Sequence, residues 1–298
     1  MVRREVQQLC TGEGGVGRLQ GMKRGTQPMV GVCSWSLQAG DPDRLVERVQ
    51  AVGLTSIQLA LEPLRSGRWD REQTVRALSE AGIEVRSGML ETAGEDYSSL
   101  ESIRETGGLR SDEHWPRNLA ALKESARLAR DLELGLVTFH AGFLPHDPED
   151  PLRAVMLDRL REVADVLEEQ RLRLGLETGQ ESAGTLLAVL DDLERPGVGV
   201  NFDPANLILY GLDDPIEAFA RLAPRVVQVH IKDAIRAEAP GQWGQEVPVG
   251  QGQVDWARFF EIYRERGLDC DLMIEREAGA SRVADISTAL RLVKARLA

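Results

Sequence analysis

The sequence of 298 residues predicts an α/β protein that folds as a single (β/α)8 TIM barrel. Eight apolar, strand-like runs alternate with eight stretches of helical spacing, and such alternation is typical of a parallel sheet. Eight strand–helix units in about 270 residues match the size of a closed barrel. The first strand is followed by CSWSLQAG, which lacks the GxGxxG turn expected after the first strand of an open, doubly wound sheet.

The predicted strands are short and rich in apolar and β-branched residues. In chain order they lie at 29–35, 55–61, 83–89, 135–139, 172–177, 197–202, 225–231 and 270–275. The predicted helices lie at 42–52, 69–81, 117–132, 151–170, 183–193, 214–223, 255–266 and 282–297. The pattern is clearest in 151–170, where apolar residues recur every three or four positions along one face. Asp41-Pro42 and Asp214-Pro215 each fit an N-cap followed by proline at the first helical position.

The segments outside the predicted strands and helices indicate where the barrel domain begins and on which end of the barrel the site lies. Residues 1–27 are glycine-rich and lack periodicity, so we expect a flexible, poorly ordered tail before a barrel domain at 28–298. Met22 and Met29 are alternative candidates for the start of the protein. The long connections 90–112 and 234–254 both follow the carboxyl end of a strand, the face on which a barrel carries its site.

Composition excludes several classes of partner. The net charge is −12 and no basic stripe is visible, which argues against nucleic-acid binding. No apolar run is long enough to span a membrane, and Arg3 and Arg4 are not followed by the apolar segment of a secretory signal. Cys10, Cys33 and Cys270 are far apart and lack CxxC spacing, which indicates a reducing compartment. We therefore expect a cytoplasmic protein, and a homo-oligomer remains open.

Five consecutive predicted strands end in an ionisable residue, namely His140, Glu177, Asp203, His230 and Glu275. In a barrel these strand ends share one rim, so their side chains converge. Three carboxylates that converge in a region of low dielectric repel one another unless a cation lies between them. We therefore predict a metal site at Glu177, Asp203, His230 and Glu275, whose mixed ligand set suits Mn²⁺, Mg²⁺, Co²⁺ or Zn²⁺ better than Ca²⁺.

Each of these residues also has an explanation that involves no metal. Glu177 or Glu275 alone could be a salt-bridge partner, and His140 or His230 alone could be a core histidine with satisfied hydrogen bonds. Asp203 precedes a proline, as an Asx turn or a helix cap often does. The prediction of a metal site therefore depends on the joint pattern.

The motifs GVCSWSL, FHAGF, GLETG, NFDPANLILYG, VHIKDA, VPVGQGQVDW and MIERE are spread along the chain. Together they resemble the xylose isomerase-like barrel superfamily, in its sugar-phosphate isomerase/epimerase branch, over residues 29–297. The resemblance implies one divalent metal ion, with Mn²⁺ as the first candidate, held by Glu177, Asp203, His230 and Glu275. It also implies that the two glutamates act as the catalytic acid/base pair.

The resemblance implies an isomerase or epimerase of a small sugar, keto-sugar or sugar phosphate that works through a metal-stabilised enediolate. The same intermediate can expel a leaving group, so a lyase or dehydratase of a keto-sugar or cyclitol, similar to inosose dehydratase, is the alternative. A non-catalytic sugar-binding barrel is a further alternative. Residues 279–282 begin the last helix, where a barrel can hold phosphate, but Ser281 as a plain N-cap explains the same segment.

The predicted substrate contacts are Trp35, His140, Asn206, Lys232 and Arg236. Arg236 lies six residues after His230, which matches an arginine of the superfamily that contacts substrate hydroxyls. Trp35 could form an apolar wall for the sugar or pack in the core, and Lys232 could assist a leaving group or point outward to an acid. Asn206 and Ala183 replace a histidine and an acidic residue of the ketohexose epimerases, which argues against a free-ketohexose 3-epimerase.

Overall fold

The structure, a computed structural model, describes residues 28–297 and confirms the predicted barrel. The strands are β1 (Val30–Cys33), β2 (Ser56–Ala60), β3 (Glu84–Met89), β4 (Leu136–Phe139), β5 (Arg173–Glu177), β6 (Val198–Phe202), β7 (Val226–Ile231), β8 (Asp233–Ile235), β9 (Gln245–Val247) and β10 (Asp271–Ile274). Eight of them close into a parallel barrel in the order β1-β10-β7-β6-β5-β4-β3-β2, while β8 and β9 form an antiparallel hairpin. The tail expected at 1–27 lies outside the described residues.

The helices are α1 (Pro42–Val52), α2 (Glu62–Arg65), α3 (Arg71–Glu80), α4 (Leu100–Thr106), α5 (Trp115–Asp131), α6 (Pro151–Glu169), α7 (Ala183–Leu193), α8 (Pro204–Leu209), α9 (Pro215–Leu222), α10 (Trp256–Glu265) and α11 (Arg282–Leu297). The helices α2, α4 and α8 and the β8–β9 hairpin were not predicted. All four follow the carboxyl end of a barrel strand and are too short to show a period in the sequence. Within 28–297, no helix has the length and apolar character needed to cross a membrane.

Both Asp-Pro pairs begin helices, as the sequence indicates. The Asp41 carboxylate accepts a hydrogen bond from the backbone N–H of Arg44 at 2.8 Å, and Asp214 accepts from the N–H groups of Ile216 and Glu217 at 2.9 and 3.0 Å. Each cap satisfies N–H groups that the first turn of a helix leaves without a partner. The predicted starts of α1 and α9 therefore agree with the structure to within one residue.

The apolar core lies between the barrel and the surrounding helices. Part of it is an aromatic layer in which Phe219 of α9 stacks on Phe259 of α10, with ring centroids 4.1 Å apart. Phe202 of β6 packs against Phe219 at 4.8 Å, and all three rings are fully buried. This layer fixes α9 and α10 against β6, and the carboxyl end of β6 carries Asp203.

The interior of the barrel is polar, which the apolar character of the strands does not reveal. Buried side chains hydrogen-bond across it: Ser87 donates to Gln228 at 2.5 Å, Gln228 to Asn201 at 3.2 Å, and Gln58 to Thr138 at 2.7 Å. Buried polar groups with satisfied hydrogen bonds hold one another in fixed orientations. The network therefore forms a rigid floor beneath the carboxyl-terminal rim.

Candidate active site

A cavity of about 480 Å³ opens at the carboxyl ends of the barrel strands. Five residues expected at the site line it, namely Trp35, His140, Asn206, Lys232 and Glu275. The roof comes from the long connections, because Tyr97 follows β3 and Trp243 lies between β8 and β9. The cavity is thus on the face that the sequence predicts, and both long connections contribute to it.

The four predicted metal ligands lie together at the base of this rim. One ligand atom from each of Glu177, Asp203, His230 and Glu275 falls within 4.8 Å of the others, and all four residues are buried. Glu177 ends β5, Asp203 follows β6, His230 lies in β7 and Glu275 follows β10. Neighbouring strands of one closed barrel thereby bring together residues that are almost a hundred positions apart in the chain.

The imidazole of His230 is oriented by the polar barrel interior. Its Nε2 atom lies 2.7 Å from the side-chain oxygen of Gln58 and 3.0 Å from the side-chain nitrogen of Asn201. Because the amide nitrogen of Gln58 donates to Thr138, its oxygen is the acceptor that would hold a proton on Nε2 when Nδ1 binds a metal ion. The Nδ1 atom of His230 lies 3.3 Å from Glu177 and 3.4 Å from Glu275, yet makes no well-aligned hydrogen bond to either carboxylate. Nδ1 therefore faces the centre of the cluster.

Asp203 combines two roles that the sequence presents as alternatives. Its Oδ1 atom caps α8 by accepting hydrogen bonds from the N–H groups of Ala205 and Asn206 at 2.8 and 3.2 Å. Its Oδ2 atom is buried and has no hydrogen-bond partner. The cap fixes the carboxylate so that the unpaired oxygen points towards the other three side chains.

The two glutamates are held by different partners. Glu177 accepts a hydrogen bond from the amide of Asn206 at 3.2 Å, and its Oε1 atom lies 3.3 Å from Nε2 of His140. Glu275 accepts from the indole N–H of Trp35 at 2.8 Å and from the ammonium group of Lys232 at 2.9 Å. Each carboxylate therefore has a defined orientation. Glu275 lines the cavity, and Glu177 contacts Asn206 and His140, which also line it.

The charges in this cluster strongly perturb one another. Burial raises the pKa of Asp203 to about 8, with the carboxylates of Glu275 and Glu177 acting in the same direction and Lys232 against it. Burial also opposes ionisation of Glu275, but Lys232 and His230 outweigh it and lower the pKa of that carboxyl to about 2. Burial likewise opposes a charge on His230, yet nearby carboxylates raise its pKa well above the usual range. The cluster attracts positive charge.

A divalent cation fits this cluster by two independent features. The orphaned Oδ2 of Asp203 and Nδ1 of His230 are buried polar atoms that point to one centre, and buried polar atoms normally have partners. Three carboxylates and one imidazole also form the donor set expected for Mn²⁺, Mg²⁺, Co²⁺ or Zn²⁺. A second grouping, Cys33 with His230 and Glu275, fits less well. Burial raises the pKa of the Cys33 thiol to about 12, which disfavours the thiolate that binds metals.

Lys232 and Arg236, which were expected to contact substrate, lie in environments that the sequence did not predict. Lys232 points inward, is buried, and pairs with Glu275 at 2.9 Å and Glu277 at 2.6 Å. Arg236 is exposed, and its guanidinium donates to the backbone carbonyls of Leu212 and Asp213 at 3.2 and 3.3 Å. The structure therefore does not bring Arg236 to the cavity, because the start of the β8–β9 hairpin directs it to a neighbouring loop.

Several lining residues were not singled out from the sequence. Tyr210 follows α8 and packs edge-on against Trp243 at 4.9 Å, and Tyr97 lies 6.5 Å from Trp243 on another side. Glu246 of β9 and Glu277, two residues after Glu275, also line the cavity. The sequence does indicate that these segments follow the carboxyl ends of strands and so lie near the site. It does not indicate which of their side chains line the cavity.

Glu181, in the connection from β5 to α7, provides a prediction about pH. Burial raises the pKa of this carboxyl to about 8 from its ordinary value of 4.5, so the folded protein keeps it neutral over a range where the unfolded chain ionises it. Stability should therefore fall as the pH rises between these values. We expect Glu181→Gln to increase the free energy of unfolding by a few kcal/mol near pH 8, since one pKa unit corresponds to about 1.4 kcal/mol, and much less near pH 4.5.

Urea unfolding at the two pH values measures this effect, and Glu238→Gln, at an exposed position, is the matched control. An equal increase in the free energy of unfolding at both pH values, or the same increase in the control, would contradict a buried, neutral Glu181.

Comparison with known proteins agrees with this architecture. The family model described as xylose isomerase-like TIM barrel matches residues 46–296. The chain belongs to this family. Its resemblance to the superfamily, noted from the motifs, is thereby confirmed.

Individual members give further comparisons. The chain is 27% identical over 241 residues to L-ribulose-5-phosphate 3-epimerase UlaE of Salmonella paratyphi B, which covers 77% of this chain and 79% of the relative. The crystal structure of a xylose isomerase domain protein from Planctomyces limnophilus has a TM-score of 0.79 and 30% identity, covering 91% of this chain and 96% of that one. A xylose isomerase-like TIM barrel protein from Mycobacterium smegmatis in complex with magnesium shares the fold, with a TM-score of 0.69, 18% identity and coverage of 92% and 98%.

Proposed function

We propose that this protein is a divalent-metal-dependent isomerase or epimerase of a sugar, keto-sugar or sugar phosphate. The observation that carries the proposal is the placement of Glu177 and Glu275. They approach one centre from positions three strands apart on the barrel, beside Asp203 and His230 and at the base of a cavity of about 480 Å³. The relationship to a protein named as a 3-epimerase supports the same reaction class.

Isomerisation and epimerisation both begin with removal of a proton from the carbon next to a carbonyl group. Glu177, Asp203, His230 and Glu275 would hold the metal ion, and Mn²⁺ is our first candidate. When bound, a divalent ion polarises the carbonyl and stabilises the negative charge that develops on the enediolate. The protein's own residues must supply the remaining steps, which are binding, orientation and proton transfer.

The two glutamates are suited to act as base and acid. Lys232 keeps Glu275 ionised, as its lowered pKa indicates, so this carboxylate is ready to accept a proton. Glu177 comes from a strand three positions away on the barrel, so it would return a proton to the other face of a flat intermediate. Burial opposes ionisation of Glu177, but His140 and His230 outweigh it and hold its pKa well below the ordinary value, so Glu177 would first receive that proton from His140, whose Nε2 lies 3.3 Å away. Transfer on opposite faces would invert a carbon centre, which is an epimerisation.

The surrounding side chains would orient the sugar. Burial disfavours a charge on His140, but Glu177 outweighs it and raises the pKa of His140 to about 9, so this ring can donate a hydrogen bond to a substrate oxygen. Asn206 lines the same part of the cavity, while Trp35 offers an indole face to the carbon side of the sugar. The aromatic roof around Trp243 would exclude water from the reaction.

Proton exchange with solvent tests the proposal. The metal-loaded protein is incubated in D₂O with a panel of ketoses and their phosphate esters, and the products are followed by NMR. We expect deuterium at the carbon next to the carbonyl together with an epimer or aldose isomer. Loss of water from the substrate would instead establish the lyase or dehydratase alternative. Binding without exchange for every substrate would indicate a sugar-binding barrel and contradict the enzyme proposal.

Gln58 offers a test of how His230 is positioned. Its side-chain oxygen fixes the Nε2 proton of His230, and loss of such an outer partner typically costs about 10- to 100-fold in metal affinity. We expect Gln58→Leu to weaken Mn²⁺ binding by this factor in calorimetric titration, whereas Gln58→Glu, which keeps an acceptor, should retain more of it. Unchanged affinity in Gln58→Leu would show that His230 needs no orientation or does not bind the ion.

A further inference from the structure

The cavity presents mostly acidic groups to a ligand. Among residues 28–297 its lining includes the glutamates Glu62, Glu91, Glu95, Glu246, Glu275 and Glu277, whereas Lys232 and His140 are its basic side chains. Glu62 pairs with Arg68, which is not among the lining residues. Partial loss of water and the nearby carboxylates of Glu62 and Glu95 raise the pKa of Glu91. The potential at the mouth therefore disfavours an anion.

Both basic groups are already paired with carboxylates of the protein. The ammonium group of Lys232 lies 2.9 Å from Glu275, 2.6 Å from Glu277 and 3.8 Å from Asp203. Nε2 of His140 faces Glu177 at 3.3 Å. An incoming phosphate would have to compete with these carboxylates for both basic groups.

The usual phosphate position of a barrel is also filled. (β/α)8 barrels frequently hold phosphate with the loops after their seventh and eighth strands, where backbone N–H groups and positive side chains are available. Here those loops are the β8–β9 hairpin and the segment from Glu275 to Ser281. The carboxylate of Glu246, whose side chain is only 8% exposed, accepts hydrogen bonds from the N–H groups of Glu277 at 2.9 Å and Ala278 at 3.2 Å.

Arg276 completes this anion position. Its guanidinium donates to Glu246 at 2.6 Å and to Asp285 at 3.0 Å, so its charge is neutralised on both sides. Two backbone N–H groups and one guanidinium are the donors that a phosphate group would seek. In this protein they already bind a carboxylate that belongs to the chain.

We propose that the substrate is an uncharged ketose or keto-polyol, with neither phosphate nor carboxylate, and that Glu246 is a specificity-determining residue because it occupies the anion position. The proposal rests on the proposed function and narrows its substrate class. The glutamates of the lining then serve as acceptors for sugar hydroxyl groups. Repulsion of an anion by fixed like charges supplies the discrimination.

Two measurements on the metal-loaded protein test this proposal. The first compares exchange of the proton next to the carbonyl in matched pairs, such as L-ribulose and L-ribulose 5-phosphate. Since bringing like charges together is strongly unfavourable, we expect kcat/KM to favour the free member of any pair by about a hundredfold or more. Equal or faster turnover of a phosphate ester would overturn the proposal and leave the proposed function standing. The absence of exchange in every pair would instead contradict the proposed function.

The second measurement does not depend on turnover. The Mg²⁺-loaded protein is titrated with inorganic phosphate by calorimetry, with dialysis to remove excess metal. We expect no binding at millimolar phosphate in the parent, and binding at least about tenfold tighter in Glu246→Ala, in which the donors are vacated. Glu246→Gln keeps a side chain against the same N–H groups, so its binding of phosphate should stay weak. Glu91→Gln removes one charge from the same cavity without opening the anion position, so its binding of phosphate should also stay weak.

Either of two results would overturn the role of Glu246. Phosphate binding by the parent as tight as in Glu246→Ala would show that the carboxylate does not occupy the site. If phosphate affinity rises equally in Glu246→Ala and Glu91→Gln, the net charge of the cavity alone determines phosphate binding. If Glu246→Ala fails to fold, Glu246→Ser replaces it in the phosphate titration, and the turnover ratios decide the substrate class.

Discussion

Glu177→Gln and Glu275→Gln should each strongly slow inversion of the substrate carbon while leaving the fold intact. Both changes keep the size of the side chain and remove its ability to exchange a proton. General acid–base catalysis by a positioned side chain contributes about 10²- to 10⁴-fold, so we expect the rate of epimer formation to fall by a similar factor in each variant. NMR detection of the product epimer measures this rate.

The stereochemistry of exchange makes this test sharper. If the two glutamates act on opposite faces of the intermediate, each variant retains one functional glutamate and therefore proton exchange on one face. Each variant should then still exchange deuterium into one epimer without converting it, and the two variants should differ in which epimer they label. Both residues are also proposed metal ligands, so each variant is assayed with excess Mn²⁺ and its metal content is measured in parallel. Glu80→Gln, at an exposed position of α3, is the matched control.

Inversion at the parent rate in either variant would contradict the assignment of Glu177 and Glu275 as acid and base. Loss of exchange with both epimers in one variant only would indicate a single base, which fits an aldose–ketose isomerase better than an epimerase.

Asp203→Asn should have opposite effects on metal binding and on the stability of the metal-free protein. The variant lacks the negative charge at Oδ2, so we expect metal affinity to fall by more than the roughly 10- to 100-fold cost of losing an outer partner. It keeps an oxygen that can cap α8, because asparagine is as good an N-cap as aspartate. Calorimetric titration with Mn²⁺ measures the affinity.

The stability of the metal-free protein should rise in the same variant. The pKa of Asp203 is raised from 3.8 to about 8, so between these values the folded protein disfavours the ionised form that the unfolded chain adopts. The neutral amide of Asp203→Asn carries no such penalty, and the melting temperature near neutral pH should increase. Asp203→Ala loses the cap as well, which costs about 1 kcal/mol, and serves as the comparison. A metal-free Asp203→Asn protein that is less stable than the parent would contradict this electrostatic account.

The sequence was sufficient to predict the barrel because its strands and most of its helices are long enough to show their period. It was also sufficient to place Glu177, Asp203, His230 and Glu275 at one rim, since the ends of parallel strands must meet there. The prediction depended on the joint occurrence of ionisable residues at successive strand ends. Any one of them alone has a structural explanation.

The parts that the sequence did not predict depend on contacts between distant segments. The N-cap role of Asp203 and its orientation towards the cluster were presented as alternatives, but the two oxygens of one carboxylate serve both. Gln58 lies in an apolar run, and only the closed barrel shows that it faces His230. Arg236 follows β8, the first strand of a hairpin whose direction the sequence does not determine, so its position outside the cavity lining could not be predicted. Glu246 acquires its role only because β9 places it against the loop after β10.

Binding of one divalent ion by Glu177, Asp203, His230 and Glu275 is the central claim, and anomalous diffraction tests it most directly. Crystals of the metal-free protein are soaked in Mn²⁺, and data are collected on both sides of the manganese absorption edge. The account predicts one strong anomalous peak per chain, in contact with all four side chains. A peak only at other carboxylates, such as Glu91 and Glu95, or no peak in crystals that still diffract, would contradict it.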